Sequence, residues 1–274
     1  MTGRVCLVTG GSSGVGKATA LGLARLGASV VLVSRDPARG EQAREEIQSR
    51  TGNPRVDFLP CDLALQSDIR RLAREVGQRY GALHVLVNCA GTLALRRELT
   101  EEGVERTLAL DYLDHFLLTT LLLDLLQKSA PARVLTVAGS PGPLRSLSFR
   151  EDLLQRGGVA AALQAALARA LFTFELARRL GGSGVTANAF HPGLVRTRLD
   201  RRLPWPLRLP VRLVQPLLSP ECPTSVRLAS STELGGISGR FFAGRLPVSL
   251  EPHETDADTA RRLWQLSERL TRVR

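Results

Sequence analysis

A chain of 274 residues, 43% of them hydrophobic, can bury an extensive core, and it lacks the repeats and low-complexity blocks of a solenoid or a disordered protein. Its formal charge of +11 raises nucleic acid as a partner, yet the arginines are scattered through helical segments and aromatic residues make up only 4%, so nucleic-acid binding is not expected. Cys6, Cys61, Cys89 and Cys222 lie too far apart for a zinc or redox motif, which predicts reduced, apolar cysteines and no metal.

The N-terminal Met1-Thr2-Gly3-Arg4 leads directly into the apolar run Val5 to Val8, too short for a signal-peptide core or a membrane span, so a cytoplasmic location is expected. That run predicts the first strand. Further strands are predicted at Ser29 to Val33, Val56 to Leu59, Val85 to Val87, Val134 to Val137 and Thr186 to Phe190, with a seventh near Arg240 to Phe242. Between them, apolar residues recur at three- and four-residue spacing over Gly16 to Leu26, Ala38 to Arg50, Gln66 to Tyr80, Glu101 to Gln127 and Ala160 to Leu180. This alternation predicts an α/β fold: a three-layer, doubly wound parallel sheet of the Rossmann type, built as a single domain over residues 1–274. Residues 199–220 break the pattern, mixing arginines with Trp205, several leucines and Pro204, Pro206 and Pro210. The prolines argue against one continuous amphipathic helix and favour a substrate-side lid, with peripheral membrane contact as the alternative.

Directly after the first strand stands Thr9-Gly10-Gly11-Ser12-Ser13-Gly14-Val15-Gly16, opening into a helix. Glycines permit a tight turn and close approach of backbone N–H groups to an anion, and the helix N-terminus adds its positive end, so this segment predicts a pyrophosphate site. The second strand ends Val33-Ser34-Arg35-Asp36. An NAD enzyme usually carries an acid here for the adenosine ribose, whereas the Arg35 guanidinium suits a 2′-phosphate; NADP(H) is therefore expected over NAD(H).

These residues resemble the short-chain dehydrogenase/reductase family, in its retinol dehydrogenase-like branch. The resemblance extends through Cys61-Asp62-Leu63, Asn88-Cys89-Ala90-Gly91, Asp114-His115-Phe116-Leu117-Leu118-Thr119, Leu171-Phe172-Thr173, His191-Pro192-Gly193-Leu194-Val195-Arg196-Thr197 and Thr259-Ala260-Arg261-Arg262-Leu263-Trp264. It implies cofactor contacts from Thr9, Gly10, Ser12, Ser13, Gly14, Val15, Gly16, Arg35, Asp62, Leu63, Asn88, Ala90, Gly91, Pro192, Gly193, Val195 and Thr197. It also implies carbonyl or alcohol chemistry, on a retinoid- or aldehyde-like ligand, carried by an Asn, a Ser and a Tyr-x-x-x-Lys pair. A phenol exchanges a proton as hydride moves, and a neighbouring ammonium lowers its pKa.

Aligned on Leu171-Phe172-Thr173, this chain carries Ala162 and Ala166 at the Tyr and Lys positions, Gly139 at the Ser position and Asp111 at the Asn position. The only tyrosines are Tyr80 and Tyr112 and the only lysines Lys17 and Lys128, so no shifted alignment restores the pair. Tyr112 and Ser140 remain as surrogate acids, Arg169 as a source of positive charge near the cofactor, and His191 as a lining residue on the nicotinamide side. The leading expectation is an NADP(H)-binding, catalytically impaired protein. The alternatives are an active NADP-dependent oxidoreductase using a non-standard acid, and a homodimeric structural protein joined through helices that resemble the family's dimer interface.

Overall fold

The computed structural model describes residues 1–92, 96–195, 219–253 and 256–273; most of the segment 199–220, and Thr197, lie outside them. One eight-stranded sheet runs in the order β3-β2-β1-β4-β5-β6-β7-β8. The strands are β1 (Val5–Thr9), β2 (Ser29–Ser34), β3 (Val56–Pro60), β4 (Val85–Asn88), β5 (Ala132–Val137), β6 (Val185–His191), β7 (Phe241–Ala243) and β8 (Leu246–Val248). The first seven are parallel. The eighth, which the sequence did not suggest, returns antiparallel on β7. The seventh lies one residue beyond its predicted position at each end.

Helices cover both faces. α1 (Gly14–Arg25), α2 (Pro37–Thr51) and a short α7 (Pro223–Ser230) close over one apolar layer. α3 (Gln66–Tyr80), α4 (Asp114–Leu121), α6 (Gly158–Arg179) and α8 (Ala257–Thr271) close over the other. On that second face Phe116 meets Trp264 and Phe172 edge-on at 5.0 and 5.8 Å, which ties α4, α6 and the C-terminal helix into one aromatic core.

The predicted helix Glu101 to Gln127 is not continuous. The Glu105 carboxylate accepts from the Leu108 amide at 2.8 Å, so helical structure starts only at Arg106. The backbone then widens into a π-turn over Ala109–Leu113, becomes α4, and bends at Leu122 (φ −97°, ψ 2°) into α5 (Leu123–Lys128).

α6 is the one described helix long and apolar enough to cross a membrane, but 72% of its most apolar window is buried inside the fold, as in a core helix. The four cysteines are free; burial pushes the Cys6 and Cys61 thiols up to about 12 and makes them unreactive.

The first βαβ unit is pinned by Asn53. Its buried amide donates to Ala24 O and Ala28 O, both at 2.9 Å, and its Oδ1 accepts from the Arg55 amide. Asn53→Ala would remove three hydrogen bonds, leaving Ala24 O its bond from the Gly27 amide, and is expected to cost about 2–3 kcal/mol, read as a lower urea midpoint with an unchanged slope.

Candidate functional site

The sheet order reverses between β1 and β4, and the crevice above their C-terminal ends is where an α/β sheet of this kind binds ligands. The turn between β1 and α1 is built for close approach. Gly10 and Gly14 have φ of +65° and +55°, and a Cβ on Gly16 would lie 2.5 Å from the Gly10 carbonyl oxygen. Ser13 occupies the N-cap of α1 but its hydroxyl makes no capping bond, and no acid stands in the first turn. The first amides of α1, flanked by Ser12, Ser13, Gly14 and Val15, therefore present an uncompensated positive end suited to a pyrophosphate.

Two predicted contacts turn out to support the turn from behind. The buried Thr9 hydroxyl accepts from the Cys89 and Ala90 amides at 2.9 and 3.0 Å, stitching β1 to the loop after β4. Asn88, also buried, donates to the Thr119 hydroxyl on α4 at 2.9 Å. Both residues hold the crevice walls rather than line them.

On the adenine side, Asp36 is committed as N-cap of α2, accepting from the Arg39 amide and pairing with the Arg39 guanidinium at 3.2 Å. Arg35 stays 60% exposed, 3.6 Å from Asp62 across the mouth of the crevice. The Asp62 carboxylate accepts from the Ala64 amide, and Leu63 is buried beneath. The Ser34 hydroxyl is sealed at the end of β2 without a hydrogen-bond partner, a group that sequence reasoning passed over.

On the other side, Gly139 ends β5 against α6, where a Cβ would stand 3.2 Å from Ala166 Cβ; Ala162 lies one turn earlier. This wall offers hydrocarbon where the family resemblance calls for a hydroxyl, a phenol and an ammonium. Ser140 is exposed at the start of the short helix Pro141–Ser146 and makes no capping bond. Tyr112 is not available as an acid: its hydroxyl lies 2.6 Å from Ser267 Oγ on α8, and burial raises its pKa. His191 closes β6, half-buried, with its imidazole pKa lowered by burial. Pro192 and Gly193 follow it, and Val195 is buried in a bridge to Ser219.

The π-turn places charged side chains beside this wall. Asp111 accepts from the Thr92 amide at 2.6 Å, and Arg169, reaching across from α6, shares the space above Gly91 with it. Burial lowers the Arg169 pKa while Asp111, Asp114 and Cys89 support its charge. Asp114 is buried with neither carboxyl oxygen in hydrogen-bond geometry, and desolvation holds its pKa well above the ordinary aspartate value. His115 beside it is neutral, its pKa driven down to about 3 by burial; because a carbonyl only accepts, its Nε2 donates to Ala90 O at 3.0 Å. The sequence signal for this cluster is two acids inside the apolar run from Leu108 to Leu118 and one arginine inside an alanine-rich helix.

The sheet and its glycine turn define a nicotinamide dinucleotide-binding α/β protein. Residues 4–150 match the family described as short chain dehydrogenase. Retinol dehydrogenase 13 of Mus musculus is 38% identical over 287 residues, covering 98% of this chain and 84% of that one. Polyprenol dehydrogenase of Mus musculus is 40% identical over 284 residues, with 98% and 84% covered. Among solved structures, an uncharacterized Mycobacterium Paratuberculosis protein superposes with a TM-score of 0.73 at 31% identity, covering 99% and 94% of the two chains. The RhlG/NADP active-site complex of Pseudomonas aeruginosa does so with 0.70 at 26%, covering 92% and 97%. The chain belongs to the short-chain dehydrogenase/reductase family, an oxidoreductase family, and lies in its retinol dehydrogenase-like branch.

Asp114 gives a pH-dependent prediction. Its native pKa exceeds the unfolded value of about 3.9, so native and unfolded states are both protonated at low pH; as pH rises past that value only the unfolded chain ionises freely, and stability falls until the raised native pKa is reached. Asp114→Asn is expected to stabilise the protein at pH 7 by at least about 1 kcal/mol, with the gain vanishing as the pH of the urea titration is lowered toward 4.

Proposed function

We propose that this chain binds NADP(H) through the crevice above β1 and β4 and is impaired in hydride transfer, acting as an NADP(H)-responsive binding or scaffold protein. The carrying observation is the pairing of a glycine turn whose helix end is uncapped with a facing wall of Gly139, Ala162 and Ala166. A general acid contributes about 10²–10⁴ in rate, and here the phenol, its cationic neighbour and the orienting hydroxyl are all replaced by hydrocarbon.

The preference for NADP(H) rests on two side chains. Asp36, the acid that would contact an unphosphorylated ribose, is consumed as a helix cap, and Arg35 is exposed at the end of β2. A 2′-phosphate supplies an acceptor for the Arg35 guanidinium. The alternative of an active oxidoreductase with a non-standard acid loses Tyr112 to the core, and Ser140 carries no base that would activate it. NADPH is expected to bind at least about tenfold more tightly than NADH by calorimetry, and Arg35→Ala to erase that difference.

Restoring the reaction site sharpens the test. Asp111→Asn alone would remove an acid that supports the Arg169 charge, so the restoration also neutralises Arg169. Gly139→Ser, Ala162→Tyr, Ala166→Lys, Asp111→Asn and Arg169→Gln combined are expected to raise NADPH-dependent aldehyde reduction at least about 10²-fold over the native chain. Native turnover already matching that of the restored variant would overturn the impaired reading.

A further inference from the structure

In a sheet ordered β3-β2-β1-β4-β5-β6, the adenine half of a dinucleotide lies over the first three strands and the other half over β4 to β6. The residues at the ends of β4 and β5 therefore decide how the nicotinamide nucleotide is held. There Gly91 opens a space with two charged walls. A Cβ built on Gly91 would lie 3.5 Å from Arg169 Nη1 and 3.7 Å from Asp111 Oδ1, ordinary contact distances that leave room for a small group between guanidinium and carboxylate.

Neither wall is loose. Asp111 is fixed by the π-turn and by the Thr92 amide at 2.6 Å. Arg169 leaves a helix whose neighbouring residues Ala165, Ala166 and Ala168 are buried, and its Nε is sealed from solvent with no hydrogen-bond partner, while the side chain as a whole is half-buried. A guanidinium beside a carboxylate matches a vicinal diol. One hydroxyl oxygen accepts from the cation and the other hydroxyl donates to the anion, each bond strengthened by the charge. No lysine competes for the role: Lys17 pairs with Glu46 on the opposite face, and Lys128 ends α5.

We propose that Arg169 and Asp111 together clasp the ribose diol of the cofactor's nicotinamide half, replacing with a cation from α6 and an anion from the π-turn the polar grip that Ala162 and Ala166 do not provide. This inference rests on the NADP(H)-binding reading. It also assigns the buried charges a purpose: a pair that costs desolvation in the free protein gains two charge-assisted hydrogen bonds when the ribose arrives.

The test compares NADPH with 2′,5′-ADP, a probe of the adenine half alone, in the full-length native chain, in Arg169→Gln and in the doubly neutral Asp111→Asn/Arg169→Gln variant. The double variant leaves no charge of the pair unmatched, and thermal melting without ligand verifies that each protein is folded. NADPH affinity, read by fluorescence titration, is expected to fall about 10- to 100-fold in both variants, with 2′,5′-ADP affinity by calorimetry unchanged. Folded variants that bind NADPH as tightly as the native chain, or more tightly, would overturn the clasp while leaving the cofactor assignment standing. A native chain that binds neither NADPH nor 2′,5′-ADP would instead overturn the NADP(H)-binding reading, and the clasp with it.

Discussion

The tightest approach of a glycine to backbone among the described residues is that of Gly16 to the Gly10 carbonyl, where a single added carbon would sit at 2.5 Å. Because α1 comes that near to the end of β1, its N-terminal amides stand over the sheet rather than beside it, and everything the crevice offers an anion follows from that placement. Thr9 fixes the other side of the same point by accepting two amides from the loop after β4. The reversal of strand order and the glycine turn are thus held to each other by one hydroxyl. At Gly10 and Gly16 the turn has no room for a side chain, and backbone amides are what it presents there.

Across the crevice the design is different in kind. The glycine side offers backbone amides, whereas the opposite side gathers buried Asp111, Asp114 and His115 with the half-buried Arg169. Burying such charges is expensive unless they are paired and hydrogen-bonded, and here Asp114 Oδ1 and Oδ2, His115 Nδ1 and Arg169 Nε have no hydrogen-bond partner. The burial resolves part of the cost by neutralising Asp114 and His115. The charges of Asp111 and Arg169 then meet at the space beside Gly91.

Much of this was legible in the residues. Each of the first six parallel strands lies where short runs of β-branched residues placed it, because a doubly covered strand has to be apolar on both faces and that pattern survives in one dimension. The glycine turn was legible for the same reason, since its chemistry is local. What the sequence hid depends on three-dimensional reach. Tyr112 is adjacent to Asp111 in the chain, but successive helical residues diverge by about 100°, and the phenol ends on α8 while the carboxylate meets Thr92. The break between Glu101 and Arg106 was invisible because a glutamate capping an amide reads like any exposed glutamate. β8 is short, with exposed residues and a proline at its centre, and so lacks the signature of the strands it extends.

The two halves of the site also differ in what a mutation can undo. A Cβ at Gly139 would meet Ala166 Cβ at 3.2 Å, so a serine there asks α6 to give by a few tenths of an ångström. Protein interiors transmit such a gain of one carbon as a shift of the surrounding elements, and α6 is the helix that also carries Arg169. Re-creating a proton-transfer site therefore moves the same helix that presents the cation to the crevice. The alanines at the family's tyrosine and lysine positions and the Arg169 cation share α6, so a change at one is felt at the other.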